Sequence, residues 1–186
     1  MAHIVSQPYR CSLESFQLRC YVPARKWQVL KQGPRSDMHF AALARRAQAH
    51  WGGTILFVGG REETPLARAT AEYLTGQVRD LTGQTSLPNL AALLASVDVM
   101  VANDTGPLHL AAALGRPVVA PYTCTKVLLN GPYGATAGAV ETRVWCQGSY
   151  RKRCGRLECM AELTPDRLWP LLEGILEKWK STCLSA

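Results

Sequence analysis

TILFVGG, residues 54–60, is a short apolar run that ends in two glycines. A run of this kind, without polar alternation, predicts a strand that is buried on both faces, as in a parallel sheet. Two further apolar runs follow, at 97–102 and 117–120. Between and after the runs, apolar residues recur every three or four positions, which is the spacing of a helix. The sequence therefore predicts βαβ units with right-handed crossovers, in a doubly wound, Rossmann-like α/β fold.

The predicted helices carry recognisable start and stop residues. Ser86 stands before a helix with leucines at helical spacing, and Pro65 and Pro165 fall in the first turns of two others. Gly76 and Gly115 stand just past the ends of two helices, where glycine is favoured. The first predicted helix has about four turns, behind a cap at Ser36 or Asp37 and ahead of Gly52. The other predicted helices are Thr64 to Thr75, Leu87 to Leu94, Gly106 to Leu114 and Pro165 to Lys180, and weaker strands are predicted at Val78 to Leu81 and Val140 to Trp145.

Two parts of the chain differ in how clearly they can be interpreted. Within residues 1–35, apolar and polar residues alternate weakly from Phe16 to Val22, and prolines interrupt the segment. We therefore expect one strand and much loop. This segment is either a remnant or the first strand of the sheet. Residues 36–186 form the predicted Rossmann-like domain.

Composition and charge limit the function classes. The chain has 186 residues, 47% of them apolar and 19% charged, which is typical of a soluble globular domain. No apolar run is long enough to cross a bilayer, and the N-terminus lacks the features of a secretory signal, so we expect a cytoplasmic location. A formal charge of +7 favours an anionic partner.

The stretch NDTGPLH, residues 103–109, carries the clearest chemistry. It directly follows a predicted strand and opens a helix, and ligands of doubly wound sheets bind beyond the carboxyl ends of the strands. Gly106 removes a side chain where the backbone turns, and the N–H groups of the first helical turn suit a phosphate. Thr105 offers a hydroxyl to the same oxygens, while Asp104 and His109 offer groups that can hold sugar hydroxyls or stabilise a departing diphosphate. The alternative is that Asp104 or Thr105 only caps the helix and His109 is an ordinary histidine.

Residues 103–115, with 117–120 after them and 81–94 before them, resemble glycosyltransferase family 9, the heptosyltransferases that build the inner core of lipopolysaccharide from ADP-heptose. The similarity covers roughly 25–176. Family members have two Rossmann-like domains in the GT-B arrangement, and the C-terminal domain holds the nucleotide-sugar. Because only about 35 residues precede the first clear helix, the resemblance implies the C-terminal half of such an enzyme.

The resemblance also implies roles for individual residues. It places Asp104 toward the donor sugar, Thr105 and Gly106 toward the diphosphate, and His109 close to that group, with Asp104 and His109 as the catalytic pair. The remaining implied donor-binding residues are a cation for the diphosphate at Arg25 or Lys26, a ribose acceptor at Glu62 or Glu63, and Thr85 near the adenine. The alternatives without a ligand are that Arg25 and Lys26 are solvated charges and that Glu62 and Glu63 are first-turn acids that favour the helix dipole.

The function that follows from the resemblance is transfer of a sugar, heptose in the family, from ADP-heptose to a lipopolysaccharide core acceptor. It requires no metal or other cofactor. A non-catalytic nucleotide-sugar-binding domain, a truncated half of such an enzyme, is the main alternative, and a sugar-nucleotide epimerase of the same fold is a weaker one. Catalysis implies a separate N-terminal domain as partner, because that domain binds the acceptor and supplies a carboxylate base.

The connection from Cys146 to Cys159 is basic and contains three of the seven cysteines. Free thiols are expected, with a disulfide or a metal site as alternatives. Four cationic residues lie between Tyr150 and Leu157. Either they belong to a solvated loop, or they contact anionic lipid or lipopolysaccharide, with the protein peripheral to the inner membrane. No aromatic residues are interleaved with them, so nucleic acid is not expected as a partner. The cations are Arg151, Lys152, Arg153 and Arg156.

Overall fold

The computed structural model describes residues 19–23, 35–151, 156 and 158–184. In this part of the chain, six strands alternate with helices. The strands are β1 Arg19–Pro23, β2 Thr54–Val58, β3 Gln77–Asp80, β4 Val99–Val101, β5 Val118–Tyr122 and β6 Ala139–Glu141. The helices are α1 Arg35–Trp51, α2 Thr64–Ala71, α3 Leu87–Leu94, α4 Gly106–Ala113, α5 Val127–Asn130, α6 Glu158–Glu162 and α7 Pro165–Leu184, with short 3-10 turns at Arg61–Glu63 and Thr136–Gly138.

The described strands form one parallel sheet in the order β3-β2-β1-β4-β5-β6. Strand β1 lies at the centre, where Cys20 pairs with Ile55 on one side and with Val99 on the other. From β1 the chain builds outward to β3, and then returns to β4 and builds outward to β6. This is a doubly wound arrangement, so the predicted fold class is confirmed.

The strands bury both faces, as the continuous apolar runs predict. Ile55 and Phe57 of β2 belong to the core layer under α1 and α7, whereas Val58 packs in the layer under α3 and α4. Strand β4 divides in the same way, because Val101 joins the first layer and Met100 the second. The alternation follows from the two-residue repeat of a strand.

Several element boundaries differ from the prediction. The second helix ends at Ala71 rather than Thr75, because the chain then tightens into a turn in which the N–H of Leu74 bonds the carbonyl of Ala71. The last strand ends at Glu141, since the N–H of Arg143 bonds the carboxylate of Glu162 instead of a neighbouring strand. The predicted Ser86 cap is confirmed, because its hydroxyl accepts the N–H of Asn89. None of the described helices combines the length and the apolar character needed to cross a bilayer.

A polar cluster fastens the end of β6 to the C-terminal helices. The carboxylate of Glu162 accepts hydrogen bonds from the hydroxyl of Thr142, the N–H of Arg143 and the guanidinium of Arg167. Arg167 also donates to the carbonyl of Glu141 at 2.8 Å. Burial opposes the charge of Glu162, but these bonds outweigh burial and hold the pKa of the carboxyl below its usual value.

Replacing Glu162 with glutamine is expected to lower the free energy of unfolding at pH 7 by about 2 kcal/mol, because Arg167 loses its charged partner. Since the pKa of Glu162 is lowered in the folded state, its contribution is fully present above the unfolded pKa and is lost as pH falls through the folded pKa. Urea unfolding at pH 7 and at acid pH measures both effects. The exposed Glu72 provides the matched control, Glu72→Gln. An equal loss for Glu162→Gln at both pH values would contradict the ionic role.

Candidate functional site

The candidate site lies at the carboxyl edge of the sheet. The loops that follow β2, β3, β4 and β5 all leave the sheet at this edge because the strands are parallel. Strands β1 and β4 are neighbours from which the chain proceeds in opposite directions across the sheet. In doubly wound folds, ligands bind in the crevice at such a switch point. The loop after β4, residues 102–105, opens directly onto it.

The turn from β4 into α4 has the geometry of an anion site. Thr105 is the N-cap in extended conformation, and Gly106 and Pro107 begin the helix. No acidic residue lies in the first turn of α4 itself, where the helix dipole has its positive end, and the nearest acid, Asp104, precedes the N-cap. A Cβ placed on Gly106 would meet no atom within 4 Å, so the turn borders open space.

Asp104 and His109 face each other across this turn. The Nε2 atom of His109 lies 3.2 Å from Oδ1 of Asp104, and both side chains remain partly exposed. The structure therefore brings together the two residues that the sequence marked as the catalytic pair. A carboxylate and an imidazole held in contact at a helix N-terminus can hold sugar hydroxyls and a phosphate oxygen at the same time.

Three polar atoms in the same turn are buried without a partner. They are the amide oxygen and nitrogen of Asn103 and the hydroxyl of Thr105, as seen within the described chain. The Thr105 hydroxyl makes no capping bond, so the capping alternative finds no support for this residue. Buried polar atoms are almost always hydrogen-bonded in native proteins. A polar ligand in the crevice would supply the missing partners.

Tyr122, the last residue of β5, is fully buried in the same core layer as Leu108 of α4. Its hydroxyl donates to the carbonyl of Asn130 at 2.9 Å. Burial, and in second place the negative charge of Asp104, raise the pKa of Tyr122 well above its usual value. The tyrosine therefore stays neutral and acts as a hydrogen-bond donor that positions the loop after β5.

The loop after β2 gives the two candidate ribose acceptors, Glu62 and Glu63, different surroundings. Glu63 is buried, and its Oε2 accepts the N–H of Gly60 at 2.7 Å. Its carboxylate therefore holds the turn itself. Glu62 is exposed, and its carboxylate lies so close to Gly60 that a Cβ there would be 2.3 Å from Oε2. Of the two, Glu62 is the carboxylate that a ligand can reach.

The loop after β3 is fixed to the loop after β2. The N–H of Gly83 bonds the carbonyl of Gly59 at 2.8 Å. Buried Thr82 bonds Asp80 through both its N–H and its hydroxyl. Thr85 follows these anchors and is half-buried. Glu62 follows β2 and Thr85 follows β3, two and three strand spacings, about 10 and 14 Å, from β4, so both residues lie along the same edge of the sheet as Asp104.

The sequence model of glycosyltransferase family 9 (heptosyltransferase) matches residues 33–160. The chain belongs to glycosyltransferase family 9. The lipopolysaccharide heptosyltransferase 2 of Escherichia coli is 26% identical over 162 residues, which are 83% of this chain and 43% of that relative. The family 9 chain thus spans about half the length of the curated relatives that it matches.

Solved structures show the same fold. The ADP-heptose lps heptosyltransferase II of Escherichia coli gives a TM-score of 0.69 at 23% identity and covers 91% of this chain and 49% of its own. The Escherichia coli heptosyltransferase WaaC with ADP gives 0.61 at 24% identity, covering 86% and 45%. At these identities the likeness concerns the fold of the family 9 domain.

Some predicted site residues of the family 9 domain lie beyond what the structure describes. Arg25 and Lys26 fall outside the described residues, and so does Cys154. Cys124 and Cys146 are free thiols. Among the described residues, no group of three or more His, Cys, Asp or Glu side chains is placed to hold a metal ion.

Sequence reasoning did not assign roles to two residues of the family 9 site. Asn103 was part of the motif, but the burial of its amide oxygen and nitrogen without partners could not be deduced from spacing. Its position, directly between a buried strand and Asp104, was the available signal. Tyr122 ends an apolar run and resembles a core residue, so its hydrogen bond to the loop after β5 could not be predicted from the sequence.

Proposed function

We propose that this chain is the donor-binding part of a heptosyltransferase-type glycosyltransferase, which transfers heptose from ADP-heptose to a lipopolysaccharide core acceptor. The observation that carries the proposal is the set of three buried, unpartnered polar atoms of Asn103 and Thr105 beside the N-terminus of α4. The similar solved structures support the choice of nucleotide, because one is an ADP-heptose lps heptosyltransferase and another is a heptosyltransferase with ADP.

The donor lies along the carboxyl edge in this proposal. Its diphosphate sits against the N–H groups of Gly106 and the first turn of α4, with the hydroxyl of Thr105 on the same oxygens. Asp104 accepts hydrogen bonds from the sugar, and His109, held by Asp104, contacts the diphosphate. The adenosine extends toward β2, where Glu62 accepts from the ribose and Thr85 borders the adenine. Arg25 or Lys26 supplies a cation to the diphosphate.

Transfer then follows as a direct displacement. An acceptor hydroxyl attacks the anomeric carbon while the bond from that carbon to the diphosphate breaks, and negative charge grows on the leaving ADP. Amides fixed at a helix N-terminus stabilise that charge without reorganising, which is a large source of catalytic power. The acceptor hydroxyl must lose its proton to a base, and in this proposal an acceptor-binding domain supplies that base, since this chain covers only 43% of the heptosyltransferase 2 relative.

The same coverage supports the second candidate function. The family 9 domain by itself would bind the donor and transfer nothing until an acceptor-binding domain is present. Both candidates place the donor at Asp104 to His109, and an assay of transfer by the isolated chain distinguishes them.

Titration calorimetry tests donor binding. The chain is expected to bind ADP and ADP-heptose more tightly than UDP-sugars. Gly106→Val is expected to weaken ADP binding at least about tenfold, because the new side chain fills the space of a phosphate that backbone N–H groups would hold.

The control variant is Gly174→Val, since a Cβ at either glycine meets no atom within 4 Å. Unchanged melting temperatures would show that both variants fold. Absence of nucleotide binding by the folded chain would rule out the donor site.

A further inference from the structure

The loop after β5 presents an unusual set of exposed apolar side chains. Leu128, Leu129 and Tyr133 are 92%, 71% and 97% exposed. Only Val127 of helix α5 packs against the core, and its N–H is held by Glu141 at 2.5 Å. The helix therefore projects two adjacent leucines away from the protein. Exposed apolar patches of this kind mark interaction sites.

A second segment, residues 143–151, lies against α5. The hydroxyl of Tyr150 donates to Oδ1 of Asn130 at 2.6 Å, and the N–H of Tyr150 bonds the carbonyl of Cys124 at 2.8 Å. The side chain of Lys126 runs along Gly148, where a Cβ would come within 2.5 Å of Cε. The two segments thus form one continuous surface.

Trp145 adds an oriented aromatic ring to this surface. The indole is 60% exposed, and its N–H donates to Glu158 at 3.0 Å. The guanidinium groups of Arg151 and Arg156 lie 5.6 Å and 5.8 Å from the ring centre. An exposed tryptophan flanked by two arginines combines an apolar ring with positive charge.

Positive charge dominates the polar groups here. Lys126, Arg143, Arg151 and Arg156 are all exposed. The neighbouring acids all have partners within the protein. Glu141 accepts the N–H of Val127, and Glu162 accepts a hydrogen bond from Arg167. Glu158 accepts the indole N–H of Trp145 and pairs with Arg156 at 3.7 Å. The surface therefore offers cations to a partner and no unengaged carboxylate among the acids just named.

We propose that this surface, which we call the docking surface and define as residues 126–133, 143–151 and Arg156, binds the headgroups of an anionic lipid bilayer. Leu128, Leu129 and Tyr133 enter the interface, Trp145 lies at headgroup level, and the cations contact lipid phosphates. Leucines that protrude beside tryptophan, tyrosine and cations are typical of interfacial membrane binding. Charge complementarity favours lipid, because the whole chain also carries +7.

Vesicle co-sedimentation, without nucleotide, tests the docking surface. The chain is expected to bind mixed phosphatidylglycerol and phosphatidylcholine vesicles, to bind pure phosphatidylcholine weakly, and to lose affinity as salt rises. The double change Leu128→Ser with Leu129→Ser is expected to weaken binding roughly tenfold, and Arg151→Gln with Arg156→Gln by a similar factor.

The matched controls are Leu87→Ser, at a leucine that is 72% exposed elsewhere, and Arg68→Gln with Arg79→Gln. They should bind as the unchanged chain does. Equal binding to neutral vesicles, no binding to anionic ones, or equal loss in the controls would overturn the proposal. Self-association that disappears in the leucine variant, without lipid binding, would assign the surface to a second copy instead. Because no nucleotide is present, either result leaves the donor site to its own test.

Discussion

Replacing Gly138 with alanine is expected to destabilise the domain by at least about 3 kcal/mol, since the new Cβ cannot be accommodated. Gly138 is buried between the last 3-10 turn and β6. A Cβ there would lie 1.8 Å from the carbonyl oxygen of Val118 in β5, and 2.9 Å from Cδ1 of Ile175 in α7. The nearest atom belongs to the backbone of a buried strand, so it cannot turn away as a flexible side chain can.

Urea unfolding of Gly138→Ala against the unchanged chain measures this effect. Gly174→Ala is the control, because a Cβ at Gly174 meets nothing within 4 Å and alanine suits a helix interior better than glycine. The control should be as stable as the unchanged chain or more stable. An equal unfolding midpoint for Gly138→Ala would mean that β5 does not approach this turn so closely.

Replacing Asp104 with alanine is expected to weaken ADP-heptose binding about a hundredfold while ADP binding changes much less. A hydrogen bond from a sugar hydroxyl to a carboxylate contributes about 1.5–3 kcal/mol, the upper end of which is about a hundredfold in Kd, and ADP lacks the sugar. The variant also removes the partner of His109, so a small loss on ADP is expected. Calorimetric titration with both ligands gives, for each ligand, the ratio of the Kd of the variant to the Kd of the unchanged chain.

Two further variants sharpen the result. Asp104→Asn keeps a hydrogen-bond acceptor and removes the charge. Its affinity for ADP-heptose should therefore lie between that of the unchanged chain and that of the alanine variant. Asp166→Ala removes a carboxylate that is 90% exposed at the start of α7, and should leave both ligands unaffected. Equal losses on ADP and ADP-heptose in Asp104→Ala would place the residue at the diphosphate and not at the sugar.

Local patterns were sufficient to predict most of the sheet and the central turn of the candidate site. The apolar runs at 54–58 and 117–120 became buried strands, and Ser86 became a cap, because each depends on neighbours a few residues away. Asp104 and His109 are five positions apart at a helix start, so their contact was also within reach of the sequence.

Features that depend on distant contacts could not be predicted. Glu62 and Glu63 are adjacent, and only the folded turn decides that Glu63 turns inward to Gly60. The end of β6 is set by Glu162, which comes from a later helix. The docking surface needs the bond between Tyr150 and Asn130, which no periodicity signals. Spacing rules describe neighbours along the chain and give no information on such pairings.

The central position of β1 has a consequence for the synthesis of the protein. Cys20 must pair with Ile55 and with Val99, so one edge of this strand stays open until β2 has been made and the other until β4 has been made. During translation the strand emerges before its partners exist, and open strand edges favour pairing with other chains. The half-made sheet on the ribosome is therefore the stage at which this protein is most exposed to aggregation.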